Sequence, residues 1–324
     1  MAFNKLVLIP FLAIGLYFLK KYMNGGICTS DARLDGKTII VTGANAGIGK
    51  ETVRDLARRG GHVIMGCRSQ YRCNAAANEI RQENSKADLV LMTLDLSSFK
   101  SIREFVTEFK QKEKNLHILI NNAGVMWTPY QKTEDGFEMQ FGVNHLGHFM
   151  LTTLLLDVIK ASKPSRIINV SSLAHNGGTM DFDTISDPGE ENYSKNSAYG
   201  SSKLANILYT RELAKRLKGT GVSVATLHPG VVDSELMRYV SYADHPIIRA
   251  IFWPVRSIFM KTTVQGSQTT LCCALNDDIP KLSGKYFSDC AVKEPSAAAQ
   301  NDEDAKKLWD LSMKWTGLEK EAKI

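Results

Sequence analysis

None of the six cysteines in this 324-residue chain (Cys28, Cys67, Cys73, Cys272, Cys273, Cys290) stands in a CxxC pair or at a metal-type spacing from a histidine. No metal is therefore expected, and a chain this long builds a core that does not need disulfide staples. Six reduced thiols in a cytosol-facing domain are the expectation. The chain also lacks any lysine–arginine tract or basic face interleaved with aromatics. Its net charge of +6 is spread along the length, so nucleic acid is not an expected partner, whereas a membrane surface or a phosphate-bearing ligand suits it. No GxSxG elbow surrounds Ser171 and Ser172, which disfavours a Ser-His-Asp hydrolase.

At the N-terminus no small-residue cleavage site follows the apolar run Leu6–Leu19; Lys20, Lys21 and Tyr22 come next, which excludes a cleaved signal peptide. The run is shorter than the ~20 residues that span a bilayer comfortably, although Ala2 and Phe3 extend its apolar character. The reading is an uncleaved hydrophobic anchor with a basic flank over residues 1–24 and a linker over 25–36. More positive charge follows the run (Lys20, Lys21, Arg33, Lys37) than precedes it, which leaves the large domain on the cytosolic side.

What is present begins at Lys37–Thr42, a short β-branched run of the buried-strand type. It leads into Gly43-Ala44-Asn45-Ala46-Gly47-Ile48-Gly49 and then a charged helical pattern. Glycines between a strand and a helix permit a tight turn and close approach to a pyrophosphate, which the free N–H groups of the helix start then bind. The next strand ends in Cys67-Arg68, about twenty residues beyond the glycines. A carboxylate there would hold the ribose hydroxyls of NAD; an arginine pairs with the 2′-phosphate of NADP instead. Arg68 thus points to NADP(H), the plainer reading being a solvated strand-end arginine. Further alternation of strands and helices, with strands at 89–94, 116–120, 166–170 and 222–227, implies a parallel sheet covered on both sides.

Tyr199 and Lys203 stand four residues apart in a helical pattern from Ala198 to Leu217, so both face the same way. An ammonium beside a phenol lowers the phenol pKa from its usual ~10 and prepares it for acid–base work.

With its GxxxGxG loop, Asn121-Asn122-Ala123-Gly124 and Tyr199-x-x-x-Lys203, the sequence resembles the short-chain dehydrogenase/reductase family. The resemblance implies an α/β fold: one doubly wound (Rossmann-type) domain with a parallel sheet, here over 37–317, preceded by the hydrophobic anchor and followed by a tail at 318–324. It further implies that Asp95 meets the adenine edge, that Asn122 lies by the cofactor, and that Asn144 holds a water linking the lysine to solvent. Ser172, second of a serine pair at a strand end, binds the substrate oxygen; Ser234 stands where the family places a threonine near the nicotinamide amide. As a plainer role, Asp95 before Ser97-Ser98 is a helix cap. His145 and His148 lack a third ligand and read as packing or surface residues. Residues 236–261, crowded with Tyr242, Ile247, Ile251, Phe252, Trp253 and Phe259, read as an apolar lid over a lipophilic pocket.

The runs NNAGVM, TEDGFEMQFGVNHLGHF, RIINVSSLAH, SKLANIL, LHPGVV and SGKYFSDC resemble the membrane-anchored, NADP-dependent retinol dehydrogenases and retinal reductases. This implies hydride transfer between retinol and retinaldehyde, with Tyr199 as general acid and base, membrane lipids as partners, and an endoplasmic reticulum location, one branch of the group being mitochondrial. Reduction of other lipid aldehydes or steroids is the alternative, and a non-catalytic NADP(H)-binding membrane protein is a second. Nothing in the residues speaks to an oligomer.

Overall fold

Five central strands are apolar without alternation, because helices cover both faces of the sheet they form. The computed structural model describes residues 3–239 and 256–321. Its eight strands are Thr38–Thr42 (β1), His62–Cys67 (β2), Leu89–Thr93 (β3), Ile118–Asn121 (β4), Ser165–Val170 (β5), Val222–His228 (β6), Tyr286–Ser288 (β7) and Ala291–Lys293 (β8). They pair in the order β3-β2-β1-β4-β5-β6-β7-β8. All neighbours are parallel except β7 and β8.

Successive residues along each strand feed opposite cores. Ile40, Ile64, Leu119, Ile167 and Val224 face one apolar layer, covered by Phe99–Lys112 (α4), Gly147–Ala161 (α6), Lys195–Arg216 (α7) and Asp302–Trp315 (α9). Ile39, Val41, Val63, Met65, Ile120 and Ile168 face the other, covered by Gly47–Arg58 (α2), Gln70–Glu83 (α3) and Thr263–Leu275 (α8). Each such side chain contributes roughly 1.5–3 kcal/mol on full burial. A short turn, Met139–Phe141 (α5), and a π-helical turn, Gly142–Leu146, lead into α6.

The expected doubly wound α/β domain is present, with three differences. Helix α4 starts later than a cap at Asp95 would set it: its cap is Ser98, whose side chain accepts from the Ser101 N–H. The sheet is not purely parallel: Asp289 and Cys290 turn the chain into the antiparallel edge strand β8 with φ of 52° and 61°. That geometry belongs to two-residue hairpin turns, and Asp-Cys lacks the glycine that announces one. Third, Cys67 and Cys73 form a disulfide, against the expectation of six reduced thiols. The tight passage from the end of β2 into the first turn of α3 puts their Cα atoms 6.1 Å apart, within bonding reach.

The expected anchor falls on Phe3–Asn24 (α1); among the described residues no helix is long and apolar enough to cross a membrane. The linker 25–36 lies against the domain: Arg59 Nη1 donates to the carbonyls of Ser30 at 2.7 Å and Ala32 at 3.1 Å. The tail is docked too, Leu318 being fully buried and Glu321 paired with Arg103 at 2.9 Å. Most of the expected lid, residues 240–255, lies outside the described residues.

Candidate active site

The strand order reverses at β1, which has β2 on one side and β4 on the other, and ligands of doubly wound folds bind at the carboxyl ends of strands around such a point. A cavity of about 270 Å³ opens there. Its walls take in the loop 43–49 except Ala44, together with Arg68, Asp95, Asn122, Ser172, Tyr199 and Lys203. Ala44 is buried beneath the loop.

The loop leaves helix α2 without a side-chain cap, because its N-cap is Ala46, so the first N–H groups remain free for an anion. Two glycines are required. A Cβ on Gly49 would come within 2.3 Å of the Gly43 carbonyl oxygen, and Gly43 itself, at φ +66°, passes so near Ala123 that a Cβ would sit 2.9 Å from its Cα. Thr42, which the sequence reading passed over, organises the floor. Its Oγ1 accepts the N–H groups of Asn122 and Ala123, each at 2.9 Å, and lies 2.9 Å from His148 Nε2. Asn122 completes the brace by donating Nδ2–H to the Thr42 carbonyl at 2.9 Å.

Arg68, just past the end of β2, is exposed and forms no ion pair with a described residue. One helical turn later Arg72 also lines the cavity, ion-paired to Glu235. Arg72 was missed, although its spacing from Arg68 is the one that puts two helix residues on one side. Asp95 is not the cap of α4: Ser98 is, while Asp95 Oδ1 accepts from the Ser97 N–H at 2.9 Å and the Ser97 hydroxyl at 2.7 Å.

The two serines after β5 divide their work. Ser171 donates to the Lys203 carbonyl at 2.7 Å and braces α7, whereas Ser172 lies with the Tyr199 phenol on the cavity wall. Lys203 Nζ donates to the Val170 carbonyl at 3.2 Å and lies 5.7 Å from the Tyr199 ring centre. Both groups are almost wholly buried. Burial pushes the Lys203 ammonium down to about 8. Burial also pushes the Tyr199 phenol up to about 12, with the Ser172 hydrogen bond working against it. This corrects the expectation that Lys203 lowers the phenol pKa: at 5.7 Å from the ring the ammonium does not offset the desolvation.

Asn144 sits in the π-helical turn, a distortion frequent at functional sites. Its Oδ1 accepts from the Val125 N–H and its Nδ2 donates to the Val125 carbonyl and to Ser202 Oγ. A Cβ on Gly124 would lie 3.2 Å from that Oδ1 and 3.5 Å from Lys203 Nζ, so the three residues are neighbours. His145 is a packing residue, bonded to Ser312 at 2.9 Å among aromatic rings. His148 is buried and pushed down to about 4 by that burial, hence neutral. Ser234 lines the cavity opposite Gly47. A larger basin of about 860 Å³ at the opposite strand ends, walled by Lys37, His117 and Arg166, holds none of these residues.

Residues 37–244 match the family described as short chain dehydrogenase. The chain belongs to that family. Retinol dehydrogenase 12 of Mus musculus is 49% identical over 323 residues, 98% of this chain and 99% of that one. Retinol dehydrogenase 11 of Homo sapiens is 50% identical over 317 residues, 97% and 96% of the two chains. Among solved structures, an uncharacterised protein from Mycobacterium Paratuberculosis aligns with a TM-score of 0.70 at 32% identity, covering 90% of this chain and 98% of that one. The RhlG/NADP active-site complex of Pseudomonas aeruginosa gives a TM-score of 0.62 at 25% identity over 79% of this chain and 95% of that one. As a short chain dehydrogenase, the protein is an oxidoreductase with a nicotinamide cofactor, acting on CH–OH groups. The cradle fits such a cofactor: helix α2 starts without a side-chain cap at the cavity wall, which leaves its first N–H groups for a pyrophosphate.

Proposed function

We propose that the protein interconverts retinol and retinaldehyde with NADP(H), its N-terminal segment holding it at a membrane. The observation that carries the chemistry is the meeting of Ser172, Tyr199 and Lys203 on the wall of one cavity, with Lys203 one turn from the tyrosine. NADP(H), when bound, supplies or accepts the hydride. With its pKa raised to about 12, Tyr199 keeps its phenolic proton at neutral pH and gives it to the carbonyl oxygen of the substrate in reduction; oxidation is the reverse transfer, from the alcohol to the phenolate. Ser172, on the cavity wall with the phenol, polarises the same oxygen. Lys203 and Asn122 hold the nicotinamide end, Asp95 faces the adenine end, and Asn144 keeps the 125 backbone and its neighbour Lys203 in register.

Preference for NADP(H) is supported by Arg68, free of any described carboxylate and accompanied by Arg72. The retinoid substrate is supported by about 50% identity with retinol dehydrogenases along nearly the whole chain. Membrane attachment is supported by the Leu6–Leu19 run with Lys20 and Lys21 after it, the catalytic domain 37–317 facing the cytosol at the endoplasmic reticulum or, in the alternative, at a mitochondrial membrane. The 236–261 segment is read as the lid. The test is a panel of retinaldehyde, a medium-chain alkenal and a ketosteroid, each with NADPH and NADH. The highest kcat/KM is expected for retinaldehyde with NADPH; a higher value for either other carbonyl moves the substrate assignment, and none with any carbonyl sinks it.

A further inference from the structure

Three cysteines from distant parts of the chain meet on one face of α8. The Cys28 N–H donates to Gln268 Oε1 at 3.1 Å, and the Cys290 N–H donates to Thr269 Oγ1 at 3.3 Å. Gln268 and Thr269 stand four and three residues before Cys272, so both anchors lie one helical turn from it on the same side. The Cys272 thiol interacts electrostatically with both Cys28 and Cys290. Gly26 lets the N-terminal segment pass close over the β7–β8 turn, where a Cβ would meet Cys290 Cβ at 3.1 Å. None of the three lines the cofactor cavity, and the proposed chemistry uses none of them.

The surroundings of Cys28 favour reactivity. It is half-buried, and its thiol is held down to about 6 by interaction with Cys272, a backbone bond from Ser30 and the nearby Arg59 guanidinium. A half-buried thiol with a lowered pKa beside a second thiol is the arrangement of oxidisable cysteines. Neighbouring Cys273 is fully buried in the apolar layer that Ile39 and Val41 face. Close by, Lys261 pairs with Asp289 at 2.5 Å and Lys20 donates to the Met260 carbonyl at 2.9 Å, so the N-terminal segment is already fastened at the end of the 236–261 segment.

We propose that Cys28 and Cys272 are an oxidisable pair, which a hydroperoxide converts to a disulfide locking the N-terminal segment onto α8. The Cys28 thiolate attacks one peroxide oxygen; an S–O bond forms, the O–O bond breaks, and the leaving oxyanion takes up a proton. The resulting sulfenic acid is then displaced by the Cys272 sulfur, which loses its proton to the departing hydroxide. Two thiols and one hydrogen peroxide give one disulfide and two waters. Cys290 keeps its thiol beside the new bond.

The full chain, reduced with dithiothreitol, freed of it and exposed to hydrogen peroxide, is capped with N-ethylmaleimide, digested without reduction and mapped by mass spectrometry. A linked Cys28–Cys272 peptide pair should rise with peroxide and revert with dithiothreitol. It should vanish in Cys28→Ser and Cys272→Ser and persist in Cys290→Ser. Cys28 recovered as a sulfinic acid or capped thiol without a link, or a Cys272–Cys290 link in its place, overturns the proposal. Should a variant fail to fold, the wild-type map decides alone, with the Cys67–Cys73 peptides as the internal reference.

Discussion

Asn144 grips the Val125 peptide from both sides, its Oδ1 accepting the N–H at 2.8 Å and its Nδ2 donating to the carbonyl at 2.9 Å. In Asn144→Ala, these buried backbone groups lose their partners, a loss of about 1–3 kcal/mol for each unsatisfied group. The expected result is a lower Tm in thermal unfolding together with a fall in kcat, because the 125 loop and Lys203 share that neighbourhood. An unchanged Tm would mean that the π-helical turn does not depend on this clamp.

Tyr199→Phe removes the proton while keeping the ring and its packing. Positioned proton transfer is worth about 10²–10⁴-fold, so kcat should drop by that order while NADPH binding, followed by fluorescence, stays within a few-fold of wild type. Residual turnover near wild type would sink the role assigned to Tyr199.

Lys203 has a folded-state pKa lowered to about 8, below the ~10.4 of an exposed lysine. Between these values the unfolded chain binds more protons than the folded one, so stability rises with pH. The cost of burying the ammonium is fully present below about pH 8 and is relieved as pH climbs toward ~10.4, on the order of 3 kcal/mol in all. Lys203→Met should therefore unfold at a higher temperature than wild type at pH 7, with the difference shrinking by pH 10. The Val170 carbonyl keeps Asn206 Nδ2 as a donor at 3.2 Å, so no acceptor is stranded. A variant less stable than wild type at pH 7 would contradict the argument.

Arg68→Asp replaces the exposed cation at the end of β2 with the charge that repels a 2′-phosphate. A hydrogen bond to a charged group is worth about 1.5–3 kcal/mol, and 1.4 kcal/mol is tenfold. The NADPH-to-NADH ratio of kcat/KM should therefore fall by roughly one to two orders of magnitude. A ratio that does not move would assign the phosphate to Arg72 instead.

Much of the fold was legible because its signals are local. The β-branched run ending at Thr42, the glycines at 43, 47 and 49, and the four-residue step from Tyr199 to Lys203 each act over a few residues, and each stands where it was expected. What escaped had no local mark. The strand β8 follows a turn without glycine, and the Cys67–Cys73 bond needs the angle between β2 and α3. Arg72 looked like any surface helix residue until the end of β2 set it on the cavity wall.

The sequence by itself determined the order of elements, the phosphate-cradling loop and the list of chemical groups at the site, since all three follow from short-range spacing and side-chain type. Only the tertiary structure decided how those groups act on one another. Burial, not the ammonium, governs Tyr199; Ser172 touches the phenol while Ser171 braces the helix; Asn144 holds a backbone loop; Cys28, Cys272 and Cys290 become neighbours. Desolvation and hydrogen bonding depend on which surfaces the sheet presses together across tens or hundreds of residues, and no spacing along a chain encodes that.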